Sequence, residues 1–499
     1  MDAGGLAELT RRVVGSQWIK EMPGLELTAC GLARQLAPRR QGIARRAEQL
    51  AAPGLGSVPR TVHQAAALQA AQLRAVVGWL PGPTRRARPT SGDGDALKDT
   101  VADVLRDHLA LLGAPGAEVA RLVTGSGSLA PGRVTDRLRL APIPWAPMGV
   151  DTVERVADRA LPGLVRSVSP QVLGATPVLQ THRCLLADGS DALLRVRRPS
   201  ARRALLSDAR FTGTLAWTAA QIVPGLRDAH PQGFVELTVR QLLDSLDLRN
   251  HALNAIELGL AVETLAVEGI SVARPVPGGV AAAAAVFESV DGEPVTSSPT
   301  PNDPGAVGAA LASVIVLAAI GAGVFLADPD PQFQLRGDGD VTTLVGCPVL
   351  GRLTPLLRTS GYDFLTAVLS GDHRGQVVAM RAAGAVPEAT DTEALIADLA
   401  ATGGLDPMAL LGREGSTALL GGLREAVTVL LRHRLRPPLE VVLLMRSLFA
   451  LQEALPVAAP GATLTGSLLP LLPRLPELAQ AVTGPLPRAA GQPATSVRL

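Results

Sequence analysis

The sequence predicts an α+β fold in which a small, sheet-containing lobe precedes a larger helical lobe. Three stretches carry that reading. Gly174–Ser200 reads as a β-hairpin, two apolar strands around an Asp188-Gly189 turn. Residues 270–292 read as two further strands around Pro277-Gly278-Gly279. From Ala306 to Ala327 the chain is uncharged and rich in Ala, Val, Ile and Leu, which predicts a helix. That run feeds straight into the rigid acidic loop Asp328-Pro329-Asp330-Pro331, then a Gly-Asp-Gly turn and a β-branched run ending at Gly346-Cys347-Pro348.

Taken in order, residues 1–90 are helical patches broken by Pro and Gly, with 13 Lys/Arg against 5 Asp/Glu. Their basic clusters, Arg39-Arg40, Arg45-Arg46 and Arg85-Arg86-Arg88, suit either a solvated helical face or attraction to anionic lipid. Pro81–Asp95 mixes Pro, Gly, Ser and charge and reads as a linker. Leu97, Val101, Val104, Leu105, Leu109 and Leu112 recur at helical spacing, closed by Gly113. Asp151 opens a helix that Pro162-Gly163 ends, and residues 201–262 read as two long helices broken near Pro224-Gly225 and Pro231. The chain is helical again from Arg352 to Asp372, and Pro437-Pro438 starts a helix through Leu455. Beyond Gly466 it is broken by Pro. The organisation expected is a basic N-terminal extension and linker (1–92), a main domain (93–465, small lobe to about 290) and a C-terminal tail (466–499).

Composition bounds the function without naming it. At 499 residues the chain holds at least one large core. With 47% hydrophobic but 2% aromatic residues, that core must be built from Leu, Val and Ala. A net charge of +2 gives no argument for nucleic acid. Cys30, Cys184 and Cys347 are odd in number and far apart, so neither a disulfide framework nor a metal knuckle is indicated, and a reducing cytosol fits. The seven His are scattered, and no metal site is expected. The first residues lack the apolar core of a secretory signal. Ala306–Ala327 is about long enough to span a bilayer, although its Ala/Gly content and the acidic loop after it favour a buried helix.

Several of these blocks resemble the UbiB family of atypical, protein-kinase-like proteins. The family loop GFFHADPHPGN and the later DFGMVGRL are matched by Gly323-Val324-Phe325, Ala327-Asp328-Pro329, Pro331 and Gly351-Arg352-Leu353. The family strand pattern ending in VKVxRPG is matched by Gln180, His182, Arg183, Asp188-Gly189, Val196, Arg198 and Pro199. Asp247, Ala252 and Asn254 survive from ExDxxxEAxN, while its glutamates fall on Ser245 and His251. Leu431–Thr463 resembles a later helical block. The resemblance covers roughly residues 100–463 and implies a two-lobed protein-kinase-like fold with extra N-terminal helices. Its sheet should run from about Val165 to Val290 and its helical lobe should follow Pro304.

The chemical positions of the family are mostly replaced. KxGQ falls on Glu118-Val119-Ala120-Arg121, the metal-binding Asn on Phe333 and the DFG aspartate on Gly346. The phosphate-binding Lys falls on Arg195, the Ala-rich loop is Gly174-Ala175-Thr176-Pro177, and Glu288 stands at the hinge. Asp328 matches the catalytic-loop Asp, with Asp330 beside it. The expectation is a catalytically degenerate, kinase-like binding or scaffold protein. No cofactor is expected, and Mg²⁺-ATP should bind weakly or not at all. By the resemblance, its partners would be a protein or an enzyme of isoprenoid or quinone lipid metabolism. The basic N-terminal region would touch an anionic membrane from the cytoplasm. Two alternatives stand beside this: a residual ATPase or kinase using Arg195, Asp328 and Asp330, and an integral membrane protein anchored by Ala306–Ala327. Asp247 and His251, four residues apart, would share one helix face, as a catalytic dyad or as a surface pair.

Overall fold

Asp188 and Gly189 make the turn the sequence predicts. Gly189 has φ +86°, and the Asp188 carboxylate accepts from the Ser190 N–H and hydroxyl. The turn joins β2 (Leu179–Leu186) to β3 (Asp191–Arg197), with Arg183 opposite Leu193. In the computed structural model, which describes residues 3–52, 93–124, 132–209, 231–402, 429 and 432–483, these strands centre a five-stranded antiparallel sheet. Its order is β1 (Val165–Ala175), β2, β3, β6 (Ala284–Glu288) and β5 (Pro275–Val280).

Pro277-Gly278-Gly279 is not the turn. It lies inside β5 as an irregularity, with Gly278 at φ +78°, and the turn falls on Ala281–Ala283, where the Ala281 N–H donates to the Ala284 carbonyl. Gly279 fits a tight site, since a side chain there would start 3.0 Å from Val286. A second, mixed sheet went unforeseen. β4 (Ile270–Val272) pairs in parallel with β10 (Thr342–Leu344), which continues to β9 (Gln334–Arg336) and β7 (Glu293–Pro294). A two-stranded ribbon, β8 (Val324–Leu326) with β11 (Leu350–Arg352), flanks the acidic loop.

The helix at the centre is Leu248–Thr264, here the central helix. From Leu248 to Ala261 only Arg249 is not buried, the all-round burial of a helix enclosed by other elements. Asp247 caps it, accepting from the Arg249 N–H, so the single helix expected across Leu242–Ala255 is two: Pro231–Ser245 and the central one. On one side Leu9, Val13, Ile19, Leu25, Leu32 and Leu36 pack on its Leu253, Ile256 and Leu260. These belong to α1 (Ala3–Gly15), a short turn Gln17–Lys20 and α2 (Leu25–Ala51). Trp18 closes the contact, its ring 2.6 Å from where a Cβ on Gly259 would stand. Residues 3–52 thus pack into the core through these side chains. Val150–Ala160 packs across the first sheet.

The apolar run is buried but is not one helix. Pro304–Ser313, capped by Asp303, is α-helical; Ala318–Ala322 winds into a π-turn and Gly323 ends it at φ +73°. Arg358 donates to the Ile320 and Gly321 carbonyls freed there. Pro304–Ala322 and Leu439–Ala458 are both long and apolar enough to cross a membrane by length and composition, and 72% and 44% of them are buried. The segment expected as a tail also packs inward, through Ser467, Leu471, Leu475 and Leu478. Residues 81–92 of the linker, the cluster Arg85-Arg86-Arg88 among them, lie outside the described residues, as do the break at Pro224-Gly225 and the end of the tail.

Candidate active site

β8, paired with β11, leads straight into the loop that carries Asp328 and Asp330, which then continues into β9. The Ala327 N–H donates to Val349, which fixes the loop entry, and the Asp330 carboxylate caps a short turn by accepting from the Gln332 N–H at 2.9 Å. Ala114–Thr124, the helix holding Glu118-Val119-Ala120-Arg121, lies over this loop. One guanidinium nitrogen of Arg121, Nη1, donates to Asp328 Oδ2 at 3.2 Å and to Asp330 Oδ2 at 2.9 Å. Its Nη2 donates to Glu118 Oε1 at 2.9 Å and also to Asp328. Burial opposes the charge on Arg121, but Glu118, Asp328 and Asp330 outweigh it and hold the guanidinium protonated well above its ordinary range. Burial raises Asp330, and Arg121 counters that only in part.

Arg195, on β3, is fully buried. Its guanidinium stacks on the Phe333 ring, 4.2 Å from the centroid, with Phe287 at 5.9 Å. Its Nε donates to Thr181 Oγ1 at 3.1 Å and its Nη1 reaches the Gly346 carbonyl at 3.4 Å. Burial draws its pKa down to about 9. Kinase-type sites pair this strand cation with a Glu on the facing helix. Here the facing group is His251, its Nδ1 3.5 Å from Arg195 Nη1 and its Nε2 2.8 Å from the Ser245 carbonyl. Burial and then Arg195 push His251 down to about 3, so two cations do not face one another. His251 and Asp247 do not pair. Asp247 turns to Arg39 and Arg249.

The loop over the phosphates in a kinase is held shut. The Ala175 N–H donates to Gln332 Oε1 at 3.1 Å, and a Cβ on Gly174 would stand 2.0 Å from the Gln332 carbonyl oxygen. That approach requires glycine. Gly174→Ala should therefore push the end of β1 off the acidic loop and lower the thermal midpoint by several degrees, read by differential scanning fluorimetry. An unchanged midpoint would mean the two loops do not touch in solution.

Metal coordination by the family's residues does not fit. Phe333 fills one position. At the other, Gly346 has φ +68°, and any Cβ would start 2.8 Å from Arg195 Nη1 and 2.9 Å from the Phe287 ring. Among the described residues no group of three His, Cys, Asp or Glu side chains is placed to hold a metal ion. The space left between Asp328, Asp330, Phe333, Gln334 and Gly346 is about 10 Å³, room for one water at most. The hinge carboxylate Glu288 is engaged by Arg274, which donates from both its backbone N–H and its Nε.

Residues matched to the family mostly build rather than react. Gln180 holds Met148 through both its amide atoms and touches His182, whose other nitrogen reaches the Ser169 carbonyl. Asn254 and Arg352 join Glu257 and Arg40 in a buried network. Arg40 Nη1 meets Glu257 Oε1 at 2.5 Å, Arg352 Nε meets Glu257 Oε2 at 2.8 Å, and both arginines donate to Asn254 Oδ1. Burial opposes the Glu257 charge, yet Arg352 and Arg40 draw its pKa down from 4.5 to about 2. Arg40 is therefore a core residue, and a membrane contact through Arg39-Arg40 as a pair is not available. The sequence offered no sign of this partnership, nor of the reach of Arg121 to the acidic loop.

Comparison with known proteins agrees with this architecture. Residues 150–379 match the model of the ABC1 atypical kinase-like domain. A probable protein kinase UbiB of Aliivibrio fischeri is 29% identical over 164 residues, 32% of this chain and 30% of the relative. One from Vibrio cholerae is 34% identical over 87 residues, 17% of this chain and 16% of its own. The matched stretch thus spans less than a third of the length of these relatives. A solved structure, the Rv3197–erythromycin complex from Mycobacterium tuberculosis, is similar over 79% of this chain and 97% of its own, at 17% identity and a TM-score of 0.41. Residues 150–379 therefore carry an ABC1 atypical kinase-like domain, and over part of its length the chain is similar to probable UbiB protein kinases.

Proposed function

We propose that this protein is a catalytically degenerate member of its family, acting as a binding or regulatory module rather than a phosphotransferase. One observation carries the reading: Arg121 spans Asp328 and Asp330, so both acids of the loop are already engaged by an internal cation. Phosphoryl transfer needs metal held on fixed side chains and a cation for the phosphates. Phe333 and Gly346 supply no ligand, and Arg195 is spent on Phe333 and Thr181. Restoring Asn at 333 and Asp at 346 does not by itself rebuild the pocket, since Arg195 and Phe287 stand where the new side chain would begin.

The partners that the family resemblance suggests are proteins or enzymes of isoprenoid or quinone lipid metabolism. Arg34, Arg45 and Arg46, exposed on α2, are among the described basic residues that suit peripheral contact with an anionic membrane from the cytoplasm. The decisive test is a thermal-shift titration with ATP, with and without Mg²⁺, beside an ATP-turnover assay. The expected outcome is no shift and no turnover above a control. Hydrolysis that Asp328→Ala abolishes would overturn the reading in favour of a residual ATPase.

A further inference from the structure

We propose that Pro142–Pro147 is a docking segment for a partner protein whose aromatic-lined groove takes a polyproline II ligand. The segment joins the helix Gly132–Leu140 to Val150–Ala160 and reads Pro142-Ile143-Pro144-Trp145-Ala146-Pro147. From Pro142 to Gly149 the chain forms neither helix nor strand. Each Pro fixes its own φ at about −65° and steers the residue before it to extended backbone. Pro142, Pro144 and Pro147 therefore constrain every residue from Ala141 to Pro147 except Trp145. Gly149 leaves the segment at φ −64° and ψ 149°, which is polyproline II geometry.

The segment is tied down at intervals and open between the ties. Ile143 sinks into the cluster of Leu109, Leu112 and Leu138, and Met148 into that of Val153 and Val168. Arg106 donates to the Ala141 carbonyl, Arg198 donates to that of Ala146, and Gln180 brackets Met148. What faces outward is apolar. Leu140 is 79% exposed and Trp145 36%, and Pro142, Pro144, Ala146 and Pro147 are exposed with them. Among the described residues no protein donor meets the Pro144 or Trp145 carbonyl, so both are free to accept from a partner. The prolines donate no backbone N–H, which makes the segment a poor strand to add to a partner's sheet. Pro144 and Pro147 have the Pro-x-x-Pro spacing that aromatic-lined grooves read, and Trp145 between them is a large, rigid anchor. With the backbone already set, little order is lost on docking. The surface is separate from the acidic loop, and the proposal stands whether or not that loop turns over nucleotide.

The probes are purified SH3, WW and EVH1 domains, titrated into the full chain labelled with 5-fluorotryptophan and followed by ¹⁹F NMR. The chain has four Trp, and Trp145→Phe identifies the signal to follow. At least one domain class should shift that signal saturably. Calorimetry with the same domain should show binding weakened roughly tenfold or more in Trp145→Ala and in Pro144→Ala combined with Pro147→Ala. Val378→Ala, at another exposed apolar side chain, should bind as the wild type does. Should Trp145→Ala fail to fold, the paired Pro variant carries the measurement. No shift with any domain class, or binding that survives the substitutions, would overturn the proposal. So would a Trp145 signal that responds instead to phosphatidylglycerol vesicles or to protein concentration alone, which would assign the segment to a lipid surface or to a second copy of the chain.

Discussion

Glu257→Ala is expected to destabilise the protein by about 3–5 kcal/mol, the cost of leaving buried charges without their partner. Glu257 is ion-paired and hydrogen-bonded to both Arg40 and Arg352, and its side chain is 7% exposed. The thermal midpoint should fall by roughly 10 °C. Arg40→Ala should approach the same loss, and the double variant should cost less than the sum because both remove one interaction. The sign of the pH dependence follows from the lowered pKa. Glu257 adds its stability above its ordinary 4.5 and loses it as pH falls through about 2. Wild type should therefore weaken across that window by more than Glu257→Gln does, in urea titrations followed by circular dichroism. Equal acid sensitivity of the two would mean the network is not formed.

Ala318→Asp should have the larger effect and prevent folding of the helical lobe. Ala318 is 1% exposed, in the π-turn packed between the central helix, Pro355–Leu369 and Leu475–Thr483. A carboxylate there would replace a methyl packed in the apolar core, so burial and overpacking together cost on the order of 5 kcal/mol or more. That rivals the whole stability of a domain, ~5–15 kcal/mol. Ala394→Asp, exposed in the first turn of Thr392–Thr402, is the control and should change the midpoint little. A soluble, cooperatively unfolding Ala318→Asp protein would show that the segment is not packed inside.

Where local chemistry decided the structure, the sequence was readable. Asp188-Gly189 made its turn, the strands around Leu185 and Leu193 paired, and Asp328-Pro329-Asp330-Pro331 formed the loop at the sheet edge. Pro277-Gly278-Gly279 misled because Pro-Gly signals a backbone irregularity and not which irregularity; β5 absorbs it as a bulge. Ala306–Ala327 misled for the opposite reason. Nothing in a run of small apolar residues marks a π-turn, which exists because Gly323 and Arg358 finish it. The site was legible only in what it lacks. What replaces the lost groups, Arg121 from 207 residues away and Gln332 from 157, depends on tertiary placement that no local pattern encodes.

The buried meeting of Arg40 with Glu257 also sets a clock. The two are 217 residues apart, and Arg352 follows Glu257 by another 95. At ~5–20 residues per second, a ribosome leaves α1 and α2 waiting roughly 10–40 s before the helix they pack against exists. During that interval Leu9, Val13, Leu32 and Leu36 lack Leu253, Ile256 and Leu260, the partners they have in the folded protein. The nascent chain must be shielded there, and yield in cells should respond to chaperone supply more than to any change in the finished acidic loop.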